Sequence, residues 1–144
     1  MELKESHVIC ASVERVWGVL TDFAVYGDWN PFVVACDCDL HPGRAIVMQV
    51  VLGKRVVRQK EWIIAVEPGH YFTYGIRPIP VFLRSHRSHT LEALPDGTCR
   101  YTSHFQLSGL LSPVIEMLMG RAMRKGFAGM TQALVARAEA LPSL

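Results

Sequence analysis

The chain has 144 residues, half of them hydrophobic and 19% charged, with a formal net charge of +2. That is enough apolar material for one core, and too little charge imbalance to single out nucleic acid or an anionic membrane as partner. No apolar run approaches the ~18 residues of a membrane span, and Val8-Ile9-Cys10-Ala11 is too short for a signal-peptide core.

One cytoplasmic domain over 1–144, without stable membrane insertion, is therefore expected. Residues 4–10 read as a first strand. Ser12 suits a helix N-cap and Glu14 suits the first turn, where a negative charge meets the helix dipole. Val13, Val16, Trp17 and Leu20 recur at helical spacing and predict a short amphipathic helix over 13–21. Asp22 restarts the chain into a second short helix or turn through Tyr26 and Trp29, and Pro31 stops it.

Strands follow. The pattern predicts them over 33–40, 45–52, 55–67, 70–77, 82–94 and 98–108. His41-Pro42-Gly43, Gly53-Lys54, Glu67-Pro68-Gly69 and Pro95-Asp96-Gly97 supply the turns. Connections this short demand antiparallel neighbours. After Ser112 as cap and Pro113 at the first helical position, the period changes. Ile115, Met119, Met123, Phe127, Met130, Leu134, Ala138 and Leu141 recur at steps of three or four. A helix from 113 to 141 would be about 43 Å long, enough to cross a curved sheet. Gly120, Gly126 and Gly129 weaken it and suit a close approach to another backbone, or room for a cavity.

Templates for chemistry are missing. There is no Gly-rich phosphate loop, nucleophile elbow or zinc-ligand spacing, and no carboxylate pair suited to glycosidase chemistry. Cys10, Cys36, Cys38 and Cys99 read as reduced, buried thiols. Neither a metal nor a cofactor is expected. Lys54, Arg55, Arg58 and Lys60 form a basic hairpin without the aromatic interleaving of a nucleic-acid surface.

Particular residues carry a resemblance. Ile9-Cys10-Ala11-Ser12-Val13-Glu14-Arg15-Val16-Trp17 and Tyr26-Gly27-Asp28-Trp29-Asn30-Pro31-Phe32 resemble signatures of the START-related, polyketide cyclase/dehydrase-like superfamily. Val66-Glu67-Pro68, Gly97-Thr98 and Phe105-Gln106-Leu107-Ser108-Gly109-Leu110 are similar to its later strand ends. The resemblance implies an α+β helix-grip fold, β-α-α-β6-α, with a curved seven-stranded antiparallel sheet around a long C-terminal helix. It also implies a cavity between sheet and helix, but no particular ligand, since members bind lipids, quinones, polyketides and hormones.

On such a fold, Met119, Met123, Phe127 and Met130 would line the cavity lid, although ordinary packing has equal claim on them. Tyr101, Ser103, Phe105 and Leu107 alternate with Arg100, Thr102, His104 and Gln106, and the first set should face inward. Arg87 and His89 share a face with Leu91 and would place a cation and an imidazole inside, unless that strand is a solvated edge. Tyr101 either offers its hydroxyl to a ligand or only packs its ring. Trp29 would close one cavity end, with Asn30 fixing the loop.

The first reading is a monomeric or homodimeric domain that carries or senses a small hydrophobic ligand. A cyclase or dehydratase using Tyr101, His89 or Arg87 for proton transfer is the alternative. A protein-interaction module using the open sheet face is the third.

Overall fold

The computed structural model describes residues 1–140. Seven antiparallel strands form one sheet: β1 (Glu2–Ile9), β2 (Val33–Cys38), β3 (Ala45–Leu52), β4 (Arg55–Glu67), β5 (Tyr71–Gly75), β6 (Arg84–Ala93) and β7 (Cys99–Ser108). Their order across the sheet is β1-β7-β6-β5-β4-β3-β2. The run β2 to β7 is a meander, and β1 closes it by pairing with the last strand. Helix α1 (Val13–Thr21) and a 3₁₀ helix (Phe23–Asp28) carry the chain from one edge of the sheet to the other. Helix α2 (Ser112–Ala140) lies across the concave face. This is the helix-grip architecture.

Local chemistry explains the joints. Ser12 accepts a hydrogen bond from the Arg15 N–H at 3.2 Å and so caps α1. Asn30 is buried, and its Oδ1 accepts from the Phe32 and Val33 amides at 2.9 Å each, which turns the chain into β2. Gly53 has φ +63° at the first position of a two-residue hairpin loop, the left-handed geometry a type II′ turn requires there. Leu52 therefore pairs with Arg55, and that fixes the β3–β4 register.

Several boundaries differ from the sequence pattern. Strand β5 stops at Gly75, two residues early, because the Ile76 amide donates to the Ser85 side chain instead of a ladder carbonyl. Strand β6 begins at Arg84 rather than 82, since the Phe82 and Leu83 amides both donate to the Ile79 carbonyl in a tight turn. Strand β2 ends at Cys38, and the Asp39 carbonyl instead closes a turn by accepting from the His41 amide. Ser112 is already helical and does not cap α2; the Leu111 carbonyl accepts the first helical bond, from Ile115. Leu141 lies outside the described residues. Among the described residues, no helix is long and apolar enough to cross a membrane.

Candidate functional site

The interior has two ends of different character. At one end the sheet is covered by α1, the 3₁₀ helix and the C-terminal half of α2, and the space is filled. Phe72 takes edge-on contacts from Trp17 and Phe23 at centroid distances of 5.9 and 6.0 Å. Leu20, Leu134 and Ala138 complete that core without solvent exposure. At the other end α2 spans the sheet with its Ile115 to Met130 stretch, and a cavity of about 190 Å³ remains.

Strands β3 to β7 contribute inward side chains to the cavity. Met48, Val50 and Leu52 come from β3, and Val57, Gln59 and Glu61 from β4. Tyr74 comes from β5, Ser85 and Arg87 from β6, and Phe105 and Leu107 from β7. Ile115, Met119, Met123, Phe127 and Met130 form the roof. Val57 and Met119 both line the cavity and are 37% and 36% exposed, so its wall extends to surface residues. The wall is apolar with a few polar groups, the usual composition of a small-molecule site.

Arg87 is the most unusual of those groups. Its side chain is 2% exposed. Nη1 donates to Ser103 Oγ at 2.7 Å and to the Ser88 and His104 carbonyls at 3.3 Å. The guanidinium lies 4.6 Å over the Phe127 ring. Nε and Nη2 are buried without a hydrogen-bond partner, and among the described residues no carboxylate pairs with it. Glu61 faces the same cavity. Burial pushes its carboxyl up to about 7, against the pull of a Gln59 hydrogen bond and the Arg87 charge.

The ten residues singled out from the sequence divide sharply. Arg87, Phe105, Met119, Met123, Phe127 and Met130 line the cavity. His89, Tyr101, Ser103 and Trp29 do not. His89 and Tyr101 do face inward, yet they sit in the filled end: His89 Nδ1 and the Tyr101 hydroxyl are hydrogen-bonded at 2.7 Å, and Phe72 lies 4.8 Å from the imidazole. The imidazole and the hydroxyl expected to face a ligand are thus a closed pair inside the core. Burial, with a smaller contribution from Arg87, holds the His89 pKa well below 6.5 and keeps the ring neutral. Ser103 supports Arg87 from behind, between β1 and α2. Trp29 packs edge-on to Tyr26 at 5.2 Å and closes the loop rather than the cavity.

Glu61, Gln59 and Tyr74 were not anticipated. A signal for the first two existed in the hairpin loop. Pairing Leu52 with Arg55 sets Val50 opposite Val57, Met48 opposite Gln59 and Ile46 opposite Glu61, and opposed residues share a face. Of the four cysteines expected to be buried, Cys99 is, Cys36 and Cys38 are half-buried with thiols pushed up to about 12, mainly by burial, and Cys10 is exposed.

Residues 1–139 match the family described as polyketide cyclase / dehydrase and lipid transport. No curated protein matches the chain. Among solved structures, a START superfamily protein from Mycobacterium smegmatis is similar, with TM-score 0.75 and 15% identity, covering 98% of this chain and 99% of that one. The Zhui aromatase/cyclase from Streptomyces sp. R1128 gives TM-score 0.73 at 14% identity, covering 96% and 93%. A protein from Mesorhizobium loti gives 0.75 at 20% identity, covering 99% and 100%. At such identities the likeness concerns the fold.

Proposed function

The chain belongs to the polyketide cyclase / dehydrase and lipid transport family, and on that premise we propose that it binds a small hydrophobic molecule in the cavity beneath α2, to carry or sense it. The observation that carries this reading is the cavity itself. A domain with this much apolar material could fill its interior, as it does around Phe72, yet the space between Met48, Val50, Met119 and Met123 stays open. Unfilled apolar volume costs stability, about 24 cal/mol per Å³ in engineered cases. A ligand that enters recovers those contacts. The methionines of the roof adapt their shape at little cost, which suits ligands of varied outline.

Binding should therefore stabilise the fold. A lipophile such as decanoate or 1-decanol at ten times its Kd should add about 1.4 kcal/mol and raise the unfolding midpoint by a few degrees. Native mass spectrometry of gently purified protein should show a retained lipophile. No thermal shift with any lipophile would end the reading.

A second reading, a cyclase or dehydratase using the same cavity, draws on Glu61. A carboxyl near neutrality beside Tyr74 can both take and return a proton at physiological pH. Two of the structural neighbours are named as aromatase/cyclase proteins. Cyclised, dehydrated product from a poly-β-ketone thioester, absent with Glu61→Gln, would favour that reading over simple binding. His89 and Tyr101 have no part in either reading, because neither reaches the cavity.

A further inference from the structure

Resting on the reading of the cavity as a ligand site, we propose that its ligand is an amphipathic carboxylate whose head group is held by Arg87 and whose apolar body lies under the methionine roof. Arg87 is the argument. A guanidinium is charged at every accessible pH, and taking it out of water costs several kcal/mol unless an anion and hydrogen bonds compensate. Here the compensation is half made. Nη1 is satisfied by Ser103 and two carbonyls, all neutral acceptors. These bonds and the Phe127 ring fix the plane of the group.

What remains is specific. Nε and Nη2 share one edge of the guanidinium plane, and their two parallel N–H bonds match the two oxygens of a carboxylate. Both are buried and unpartnered. Glu61 could have answered the charge, but it makes no ion pair with Arg87, and burial has moved its own carboxyl toward the neutral form. The cation is oriented and desolvated, its Nε–Nη2 edge makes no hydrogen bond, and because both nitrogens are buried a carboxylate reaches them only as neighbouring side chains shift. The apolar part of the cavity wall, with Met48, Val50, Leu107, Met119 and Met123, accepts an alkyl or aryl body. A ligand with a carboxylate at one end satisfies both halves at once.

The test compares three ten-carbon probes that share a tail: decanoate, 1-decanol and decyl phosphate, titrated by calorimetry into the wild type and Arg87→Met. Wild type should bind decanoate at least ten-fold more tightly than 1-decanol, and no more weakly than decyl phosphate. Arg87→Met should lose the preference for decanoate over 1-decanol. That variant should fold, because an apolar chain of similar length replaces a buried charge that lacks a counter-ion. A readout on the wild type alone guards against misfolding: the Arg87 Nε–H NMR resonance should shift with decanoate and stay in place with 1-decanol. Equal binding of decanoate and 1-decanol by the wild type would overturn the carboxylate proposal and leave the cavity reading standing. Tighter binding of decyl phosphate would overturn it in favour of a phosphate head group. Failure of all three probes would overturn the cavity reading, and this proposal with it.

Discussion

Gly109→Ala should destabilise the protein by about 3 kcal/mol or more, read as a fall in the urea midpoint with unchanged slope. Gly109 has φ +107°, a backbone conformation that side-chain-bearing residues rarely adopt. Space is closed as well. A Cβ there would clash with the Phe82 carbonyl oxygen and stand 2.5 Å from its carbon and 2.8 Å from the Leu83 nitrogen. These are backbone atoms, so no rotamer change relieves the clash. The same corner is tied by bonds from the Leu110 amide to the Val81 carbonyl and from the Leu111 amide to the Phe82 carbonyl. Moving Gly109 would break the joint that seats the start of α2 on the β5–β6 connection. Strain at such a φ costs of order 1–3 kcal/mol, and overpacking typically adds 1–3. Gly97→Ala supplies the control. Its φ is +84° but nothing lies within 4 Å, so it should show the conformational cost alone. Equal losses at the two positions would refute the steric account.

The second large effect should come from the buried His89–Tyr101 pair, in stability and not in ligand affinity. Tyr101→Phe leaves the His89 nitrogen without its partner in a sealed core and should cost about 2 kcal/mol at neutral pH. Affinity for any cavity ligand should stay within two-fold, since neither residue lines the cavity. The pH dependence has a definite sign. The native state holds His89 neutral, with its pKa well below 6.5, whereas the unfolded chain protonates it near 6.5. Above 6.5 the residue contributes no slope. As pH falls below 6.5 the unfolded state gains a proton that the native state refuses, and stability drops by up to about 1.4 kcal/mol per pH unit until the native pKa is reached. Glu61 acts oppositely. Its native pKa of about 7 exceeds the unfolded 4.5, so its contribution is complete below 4.5 and is lost as pH rises through 7. The double variant His89→Phe with Tyr101→Phe removes both partners of the buried pair and isolates its share. It should be close to wild type at pH 8 and visibly less acid-sensitive between pH 6.5 and 5. Parallel stability curves for the two proteins would refute the assignment.

Much of the fold was readable because turns and periods are local. The Gly53-Lys54 loop, the Pro95-Asp96-Gly97 turn and the alternation from Cys99 to Leu107 all state their geometry within a few residues. The family resemblance then supplied the helix across the sheet. The site was less legible. Alternation says which face of a strand Tyr101 and His89 occupy, and both do point inward. It says nothing about position along the sheet, where Trp17, Phe23 and Phe72 from three separate segments fill one end and leave the other open. Glu61 was hidden for a different reason. The stretch Arg55 to Glu61 mixes charged and apolar residues on both faces, so composition alone gives no inward side, and only the register fixed by the hairpin does. Arg87 was placed inside from Leu91, and its need for an anion followed from charge burial.

The division of the interior into a filled end and an open end also separates two histories that a sequence can undergo. At Met48, Val50, Val57 or Met119, a changed side chain grows into or withdraws from empty space, altering what fits without crowding a neighbour. At Leu20, Phe72 or Leu134 the same change meets packed atoms and is felt by the whole fold. Drift can therefore retune the contents of the molecule while the scaffold stays still. Chains that share 14–20% of their residues with this one and retain its fold are the outcome such an arrangement allows.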